Sequence, residues 1–204
     1  MIDSRFVYLA MFLSLVGAYG YIRDTLRGTT SPHRVTWALW ALEGVLAFII
    51  EIQQHVGSAA LMTLMLGFVP LLVLGASFAN SRSVWHLGRF DLVCAALSLL
   101  GLVFWGVVHQ ATVALVSFVA ADQIAALPTV RKSWLAPESE SPRLFFLGAL
   151  NCALTLMTLH HLTTAGVIFP GCIMIGDVVL ASVIATRVGP RVRMKRSSEL
   201  AAAR

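Results

Sequence analysis

Seven long apolar segments follow one another along the chain, separated by short polar or basic segments. Each has roughly 17–21 residues, close to the ~20 that an α-helix needs to cross a hydrocarbon core of ~30 Å. The pattern predicts an all-α integral membrane protein with seven transmembrane helices. The predicted helices are Phe6–Ile22, Val35–Ile52, Ala59–Phe78, Leu92–Val108, Ala111–Val130, Leu144–His160 and Gly166–Thr186.

Composition agrees with this prediction, since 58% of the residues are hydrophobic and only 12% are charged. A water-soluble domain of 204 residues cannot bury that much apolar surface. The first segment resembles a signal peptide in length, but the residues before it include Asp3 and Arg5, and no small-residue cleavage site follows. We therefore expect it to remain as the first helix.

The basic residues indicate the orientation of the helices. Every Lys and Arg except Arg5 lies in a segment that follows predicted helix 1, 3, 5 or 7. The positive-inside rule then places the N-terminus outside and the C-terminus in the cytoplasm, with residues 23–34, 79–91, 131–143 and 187–204 on the cytoplasmic side. The net charge of +5 follows from this asymmetry and does not indicate a nucleic-acid partner.

An internal repeat divides the chain. The segment Gly20–Glu43 is matched in kind by Pro128–Asn151 at a shift of 108 positions, which pairs Glu43 with Asn151. The sequence ASFANSR, which ends helix 3, also resembles ASVIATR at the end of helix 7. We predict two parallel three-helix bundles, residues 1–82 and 111–187, joined by a linker helix in 83–110 that acts as a spacer, with a basic cytoplasmic tail in 188–204.

Four polar side chains lie deep inside predicted helices and are the main candidate site residues. They are Glu43, Asp122, Asn151 and Asp177. A carboxylate at that depth costs ~2.5 kcal/mol or more unless it is paired, hydrated or protonated. We therefore expect Glu43 and Asp177 to face one water-accessible cavity, and at least one of them to bind a proton or cation linked to solute movement, while Asn151 hydrogen-bonds the solute.

Three structural alternatives stay open for the candidate residues. Asn151 is also the type of residue that joins helices by a hydrogen bond, and Asp122 has a partner available in the backbone freed by Pro128. Trp40 and Trp37 are predicted to form an apolar wall of the site, but Trp37 also suits an interfacial anchor.

A separate pattern lies in helix 7, where a Pro-Gly pair (Pro170, Gly171) is followed by Gly176 and Asp177. It predicts a locally broken helix with a carboxylate near the middle of the membrane.

These features resemble the SWEET and PQ-loop (MtN3-like) superfamily of seven-helix transporters. The sequence LPTVRKSWLAPESES after helix 5 is similar to a PQ-loop, with Thr129 in place of the glutamine, and IGDVVLASV is similar to an acidic seventh helix of the cystinosin type. The resemblance implies a 3+1+3 fold and transport of a small polar solute, such as a sugar, an amino acid or a vitamin-like molecule. It implies no cofactor and a location in a bacterial inner membrane. Both a monomer and a homo-oligomer stay open.

Seven-helix proteins also serve other functions, and each of these functions requires particular residues. A receptor that binds a ligand without transporting it stays open. A retinal photoreceptor needs a lysine inside the membrane, and Lys132 and Lys195 both lie in predicted cytoplasmic segments. We do not expect an enzyme, because His109, His160 and His161 lie in loops without a convergent set of nucleophile, acid and base.

Overall fold

The computed structural model describes residues 6–53, 60–79, 87–108, 111–158 and 164–202, and within these ranges it contains helices and no strands. This confirms the all-α prediction. All seven predicted segments lie on helices, and an eighth helix forms in the basic tail. The helices are α1 (Phe6–Leu26), α2 (Arg34–Gln53), α3 (Ala60–Ala79), α4 (Arg89–Val107), α5 (Ala111–Leu135), α6 (Pro142–Thr158), α7 (Thr164–Thr186) and α8 (Val188–Ala202), with a 3₁₀ turn at Pro137–Ser139.

Two helices differ from their prediction in a way that affects the site. α5 continues past Val130 to Leu135, so Lys132 belongs to a helix and is buried. α7 is continuous from Thr164 to Thr186, so the predicted break at Pro170 is wrong. A proline in a helix removes one backbone hydrogen bond, and α7 packs against both α5 and α6, which hold its backbone in helical form.

The helices on either side of α4 pack in the same order. α3 packs against both α1 and α2, and α7 packs against both α5 and α6. We call α1–α3 and α5–α7 the two triplets. They contact each other through two helix pairs, α1 with α6 and α2 with α5. The two pairs are equivalent, because α1 and α2 of the first triplet correspond to α5 and α6 of the second. α4 packs mainly on α5 and to a lesser extent on α2. A site between the triplets is therefore built from both halves of the chain.

The basic segments meet at one end of the molecule. Polar contacts link the α1–α2 loop, the end of α3, the start of α4, the α5–α6 loop and α8. They are Ser31 N to Ser139 O (2.9 Å), Arg34 Nη2 to Ser77 O (2.6 Å), His33 Nε2 to Asp91 Oδ2 (3.5 Å) and Arg193 Nη2 to Leu135 O (2.7 Å). The predicted segment 79–91 lies partly outside the described residues, together with Arg82. The connections at the opposite end, with His109, His160 and His161, also lie outside them.

The outer surface is apolar, and α4 shows this most clearly. This helix buries Asp91, Cys94, Ser98 and Leu102 and exposes most of its large apolar side chains, such as Leu100 and Val103. Two helical stretches among the described residues, Arg89–Val107 and Val167–Thr186, are long and apolar enough to cross a membrane. Seven crossings remain a prediction.

Candidate functional site

A cavity of about 140 Å³ lies between the two triplets. Its walls come from α1, α2, α3, α5, α6 and α7, so both halves of the chain contribute. All six residues predicted for the site lie on its wall: Glu43, Asp122, Asn151, Asp177, Trp37 and Trp40. The structure thus brings together side chains that are separated by up to 140 positions in sequence.

Glu43 projects from α2 into this cavity and is 2% exposed. Its Oε1 accepts a hydrogen bond from Ser98 Oγ of α4 at 3.2 Å. Its carboxyl group also lies within hydrogen-bonding reach of the Asp122 carboxyl group of α5. Two ionised carboxylates at such a separation repel, so this pair needs a proton or a cation between its members. α4 is therefore more than the predicted spacer, because it supplies a hydrogen bond to the site.

Asn151 occupies the equivalent place on α6. Its Nδ2 donates to Ser14 Oγ of α1 at 3.0 Å, while its Oδ1 has no hydrogen-bond partner among the described residues. The shift of 108 positions that pairs Glu43 with Asn151 also pairs Ser14 with Asp122. The contacts Glu43–Asp122 and Asn151–Ser14 are thus repeat-related versions of one contact, acidic in one copy and neutral in the other.

Asp177 reaches the cavity from α7 and packs directly on Gly148 of α6. A Cβ added at Gly148 would collide with the Asp177 carboxyl group, so the glycine provides the space that this side chain occupies. Gln123 Nε2 donates to Asp122 Oδ2 at 2.9 Å. The side-chain partners recorded for Asp122 are thus Gln123 and Glu43, rather than the backbone near Pro128.

Aromatic rings form the apolar part of the wall. The Trp37 and Trp40 rings meet edge to face, with centroids 5.3 Å apart, and Phe118 and Phe169 approach to 5.1 Å. Trp37 is 2% exposed, so the alternative of an interfacial anchor is wrong for this residue.

A buried polar layer lies beyond Trp37, toward the basic end of the molecule. The Tyr21 ring packs 5.2 Å from Trp37, and its hydroxyl donates to Glu140 Oε2 at 2.5 Å. Lys132 Nζ lies 2.5 Å from Glu140 Oε1 and also donates to the Ser31 carbonyl. We call Tyr21, Ser31, Lys132 and Glu140 the closing layer, because they join the loops of both triplets beneath the cavity. Lys132 is fully buried here, at the end of α5, within the segment 131–143 that was predicted to be cytoplasmic.

His33 lies beside this layer and is fully buried next to Asp91. Burial lowers the pKa of the His33 imidazole below its usual value, although the nearby Asp91 carboxylate acts in the opposite direction. Burial has the larger effect, so the neutral imidazole is favoured at pH 7.

Several residues of the wall were not predicted from the sequence. They are Ser14, Gln123, Phe118 and Phe169, together with Ser98 behind Glu43. The repeat contains a signal for Ser14, since it lies 108 positions before Asp122. Ser98 has no such signal, because helix 4 has no counterpart in the repeat. The chain matches no protein-family model, no curated protein and no solved structure.

Proposed function

We propose that this chain is a membrane carrier for a small polar solute, built as two three-helix repeats around a linker helix and resembling the SWEET and PQ-loop superfamily. The observation that carries the proposal is the cavity between the triplets, whose wall holds three carboxyl groups and two amides that are expensive to place there. In carriers built from repeats, substrate and coupling ions bind near the midplane at the repeat interface. The repeated neighbours of α1–α3 and α5–α7 support this architecture.

The apolar exterior supports seven crossings of a bilayer, and the resemblance to the transporter superfamily leads us to propose the bacterial inner membrane. α4 turns polar residues inward and apolar residues outward, which is the reverse of a helix on a water-soluble protein. Exposed apolar side chains also cover other helices, including Phe12, Phe78, Phe146 and Ile175. The gathering of basic segments at one end supports the orientation with that end in the cytoplasm.

Cysteine labelling tests this orientation. In a variant without the native cysteines, we expect Arg27→Cys and Glu138→Cys to resist a membrane-impermeant maleimide in intact cells and to react after permeabilisation. Both side chains are exposed at the basic end, so access to the reagent is limited by the membrane alone. Gln53→Cys, at the opposite end of α2, is the matched control and should react in intact cells. Labelling of position 27 or 138 from outside would overturn the arrangement.

The carboxyl groups of the wall support coupling of solute movement to a proton or cation. Glu43 and Asp122 lie side by side, and Asp177 is close enough to Asp122 for the two charges to interact. Three ionised carboxylates cannot share a small cavity inside the protein without compensation. A proton or cation bound at this cluster compensates the negative charge. Its binding is thereby linked to the binding of the solute in the same cavity.

The experiment compares Glu43→Gln and Asp177→Asn with the wild-type protein in proteoliposomes, over a range of pH and with an identified solute. We expect each variant to lose at least about tenfold in transport rate, because one missing proton-transfer group typically costs 10²–10⁴-fold when it takes part in the step. The pH dependence should also change. Transport by both variants at the wild-type rate, with the wild-type pH profile, would make the carboxylates structural. Solute binding without any uptake would favour the receptor alternative.

A further inference from the structure

The cavity wall carries charge of one sign only. It includes the carboxyl groups of Glu43, Asp122 and Asp177, and none of the described residues that line it is a Lys, Arg or His. The buried cation nearest in sequence to Asp122 is Lys132, ten positions along α5 or ~15 Å at 1.5 Å per residue, and it pairs with Glu140. Arg34 at the start of α2 is bound to Ser77 and stacks on the Phe78 ring. An anionic occupant would find no positive side chain here, whereas a cationic occupant can replace the protons that otherwise compensate the carboxylates.

One buried acceptor atom on the wall, Asn151 Oδ1, has no N–H or O–H donor among the described residues. Its side chain is more than nine-tenths buried, at 6% exposure. Because a buried acceptor without a donor costs ~1–3 kcal/mol, this atom indicates a ligand that brings a donor or positive charge. The Glu43 carboxyl group interacts with Asp122, and a cation can take the place of the proton between them. Trp40 Nε1 is an unpaired buried donor on the same wall, which suits a hydroxyl group of the ligand.

The remaining surface of the cavity is aromatic. Trp37, Trp40, Phe118, Phe145 and Phe169 all contribute to the wall. The face of an aromatic ring attracts a cation that is excluded from water, and tryptophan is the strongest of these rings. Acidic groups combined with aromatic faces are the features that recognise an organic ammonium group.

The volume of the cavity and the spacing of its polar side chains restrict the class of ligand further. The cavity volume of about 140 Å³ is close to the ~150 Å³ of an apolar protein cavity that binds benzene. An inorganic metal ion is a poor match, because no three His, Cys, Asp or Glu side chains in the described part of the chain are spaced to hold one.

We propose that the solute is a small organic monocation, an amine or quaternary ammonium compound of roughly six to ten non-hydrogen atoms with a compact apolar body. This inference rests on the proposed carrier function and names the substrate class of that same cavity. The Glu43–Asp122 pair and Asp177 compensate the positive charge, and the aromatic rings surround its apolar groups.

The test compares cations with uncharged molecules of the same shape, by calorimetry on the purified full-length protein. Choline is compared with 3,3-dimethylbutan-1-ol, in which carbon replaces the charged nitrogen, and benzylammonium with benzyl alcohol. We expect at least one cation to bind at least tenfold more tightly than its uncharged counterpart. We also expect Glu43→Gln and Asp177→Asn to weaken its binding at least tenfold, and Trp40→Leu severalfold. Glu138→Gln, which removes an exposed carboxylate at the basic end, is the matched control and should bind as the wild type does.

The ratio between the affinities for a cation and for its uncharged counterpart is measured on the wild-type protein. It therefore remains decisive if a substitution prevents folding. Uncharged counterparts that bind as tightly as the cations would overturn the inference, and so would the absence of binding by all four compounds. Uptake into proteoliposomes separates this inference from the function on which it rests. A protein that moves a neutral solute and ignores cations is a carrier with a different substrate. A protein that binds cations selectively but moves nothing supports the ligand class and contradicts the carrier function.

Discussion

Replacing Lys132 by methionine is expected to destabilise the protein by about 3–5 kcal/mol, the range for removing one member of a buried ion pair. Lys132 and Glu140 are both fully buried, with Nζ and Oε1 2.5 Å apart. Methionine has a similar length and an apolar stem, so little packing volume is lost. The large cost arises because the buried Glu140 carboxyl group loses its cationic partner, which leaves Tyr21 as its side-chain donor among the described residues. The loss is measured as a lower midpoint of unfolding in mixed micelles.

The double variant Lys132→Met with Glu140→Gln should recover part of this stability, since it removes the uncompensated carboxylate. Lys195→Met is the matched control. Lys195 lies on α8 with its side chain 79% exposed and a distant partner, Glu199, at 4.0 Å, and a surface pair of this kind contributes little. If Lys132→Met unfolds at the wild-type midpoint, the closing layer does not hold the two triplets together in the way inferred here.

Gly44→Ala is the second change for which we expect a large effect, a destabilisation of at least about 3 kcal/mol. Gly44 of α2 and Gly67 of α3 lie in direct backbone contact, and a Cβ at position 44 would overlap the Gly67 backbone nitrogen and lie 2.6 Å from the Leu66 carbonyl carbon. Ordinary overpacking costs about 1–3 kcal/mol because side chains can move aside. Here the obstacle is backbone, so the two helices must separate. Glu43 is the adjacent residue, so the cavity wall moves as well.

Gly75→Ala in α3 is the control for this variant, because a Cβ there meets no atom of the described residues within 4 Å. It should leave stability unchanged or raise it by up to about 1 kcal/mol through helix propensity. Unfolding midpoints of both variants provide the comparison. A Gly44→Ala protein as stable as the Gly75→Ala protein would show that α2 and α3 do not approach as closely as described.

The carboxylates and tryptophans of the site could be located from sequence because apolar surroundings make a polar residue conspicuous. Glu43, Asp122, Asn151 and Asp177 each interrupt an apolar segment, and all four lie on one cavity wall. The repeat also carried spatial information, because a shift of 108 positions relates the residues on either side of the cavity. The repeat did not indicate that Ser14 faces Asn151. A serine in an apolar helix costs little free energy, so its presence alone does not mark a site.

The role of Lys132 could not be predicted from the sequence. The rule that places basic residues in cytoplasmic segments treats every lysine as a solvated charge. Whether a lysine is solvated or buried depends on whether a carboxylate reaches it, and here the 3₁₀ turn after α5 brings Glu140 to its side. The predicted break in α7 failed for a similar reason. Proline and glycine lower the intrinsic stability of a helix, but the packing of α5 and α6 against α7 decides whether it stays intact.

Composition and spacing are enough to predict that the chain is helical, where its long apolar segments lie, and which polar residues are costly to bury. These properties need no knowledge of neighbours. Which of the polar residues meet is visible in the folded protein alone: Glu43 with Asp122, Asn151 with Ser14, and Asp177 with the space left by Gly148. Contacts between distant residues depend on how the two triplets pack, and that packing is a property of all their side chains together.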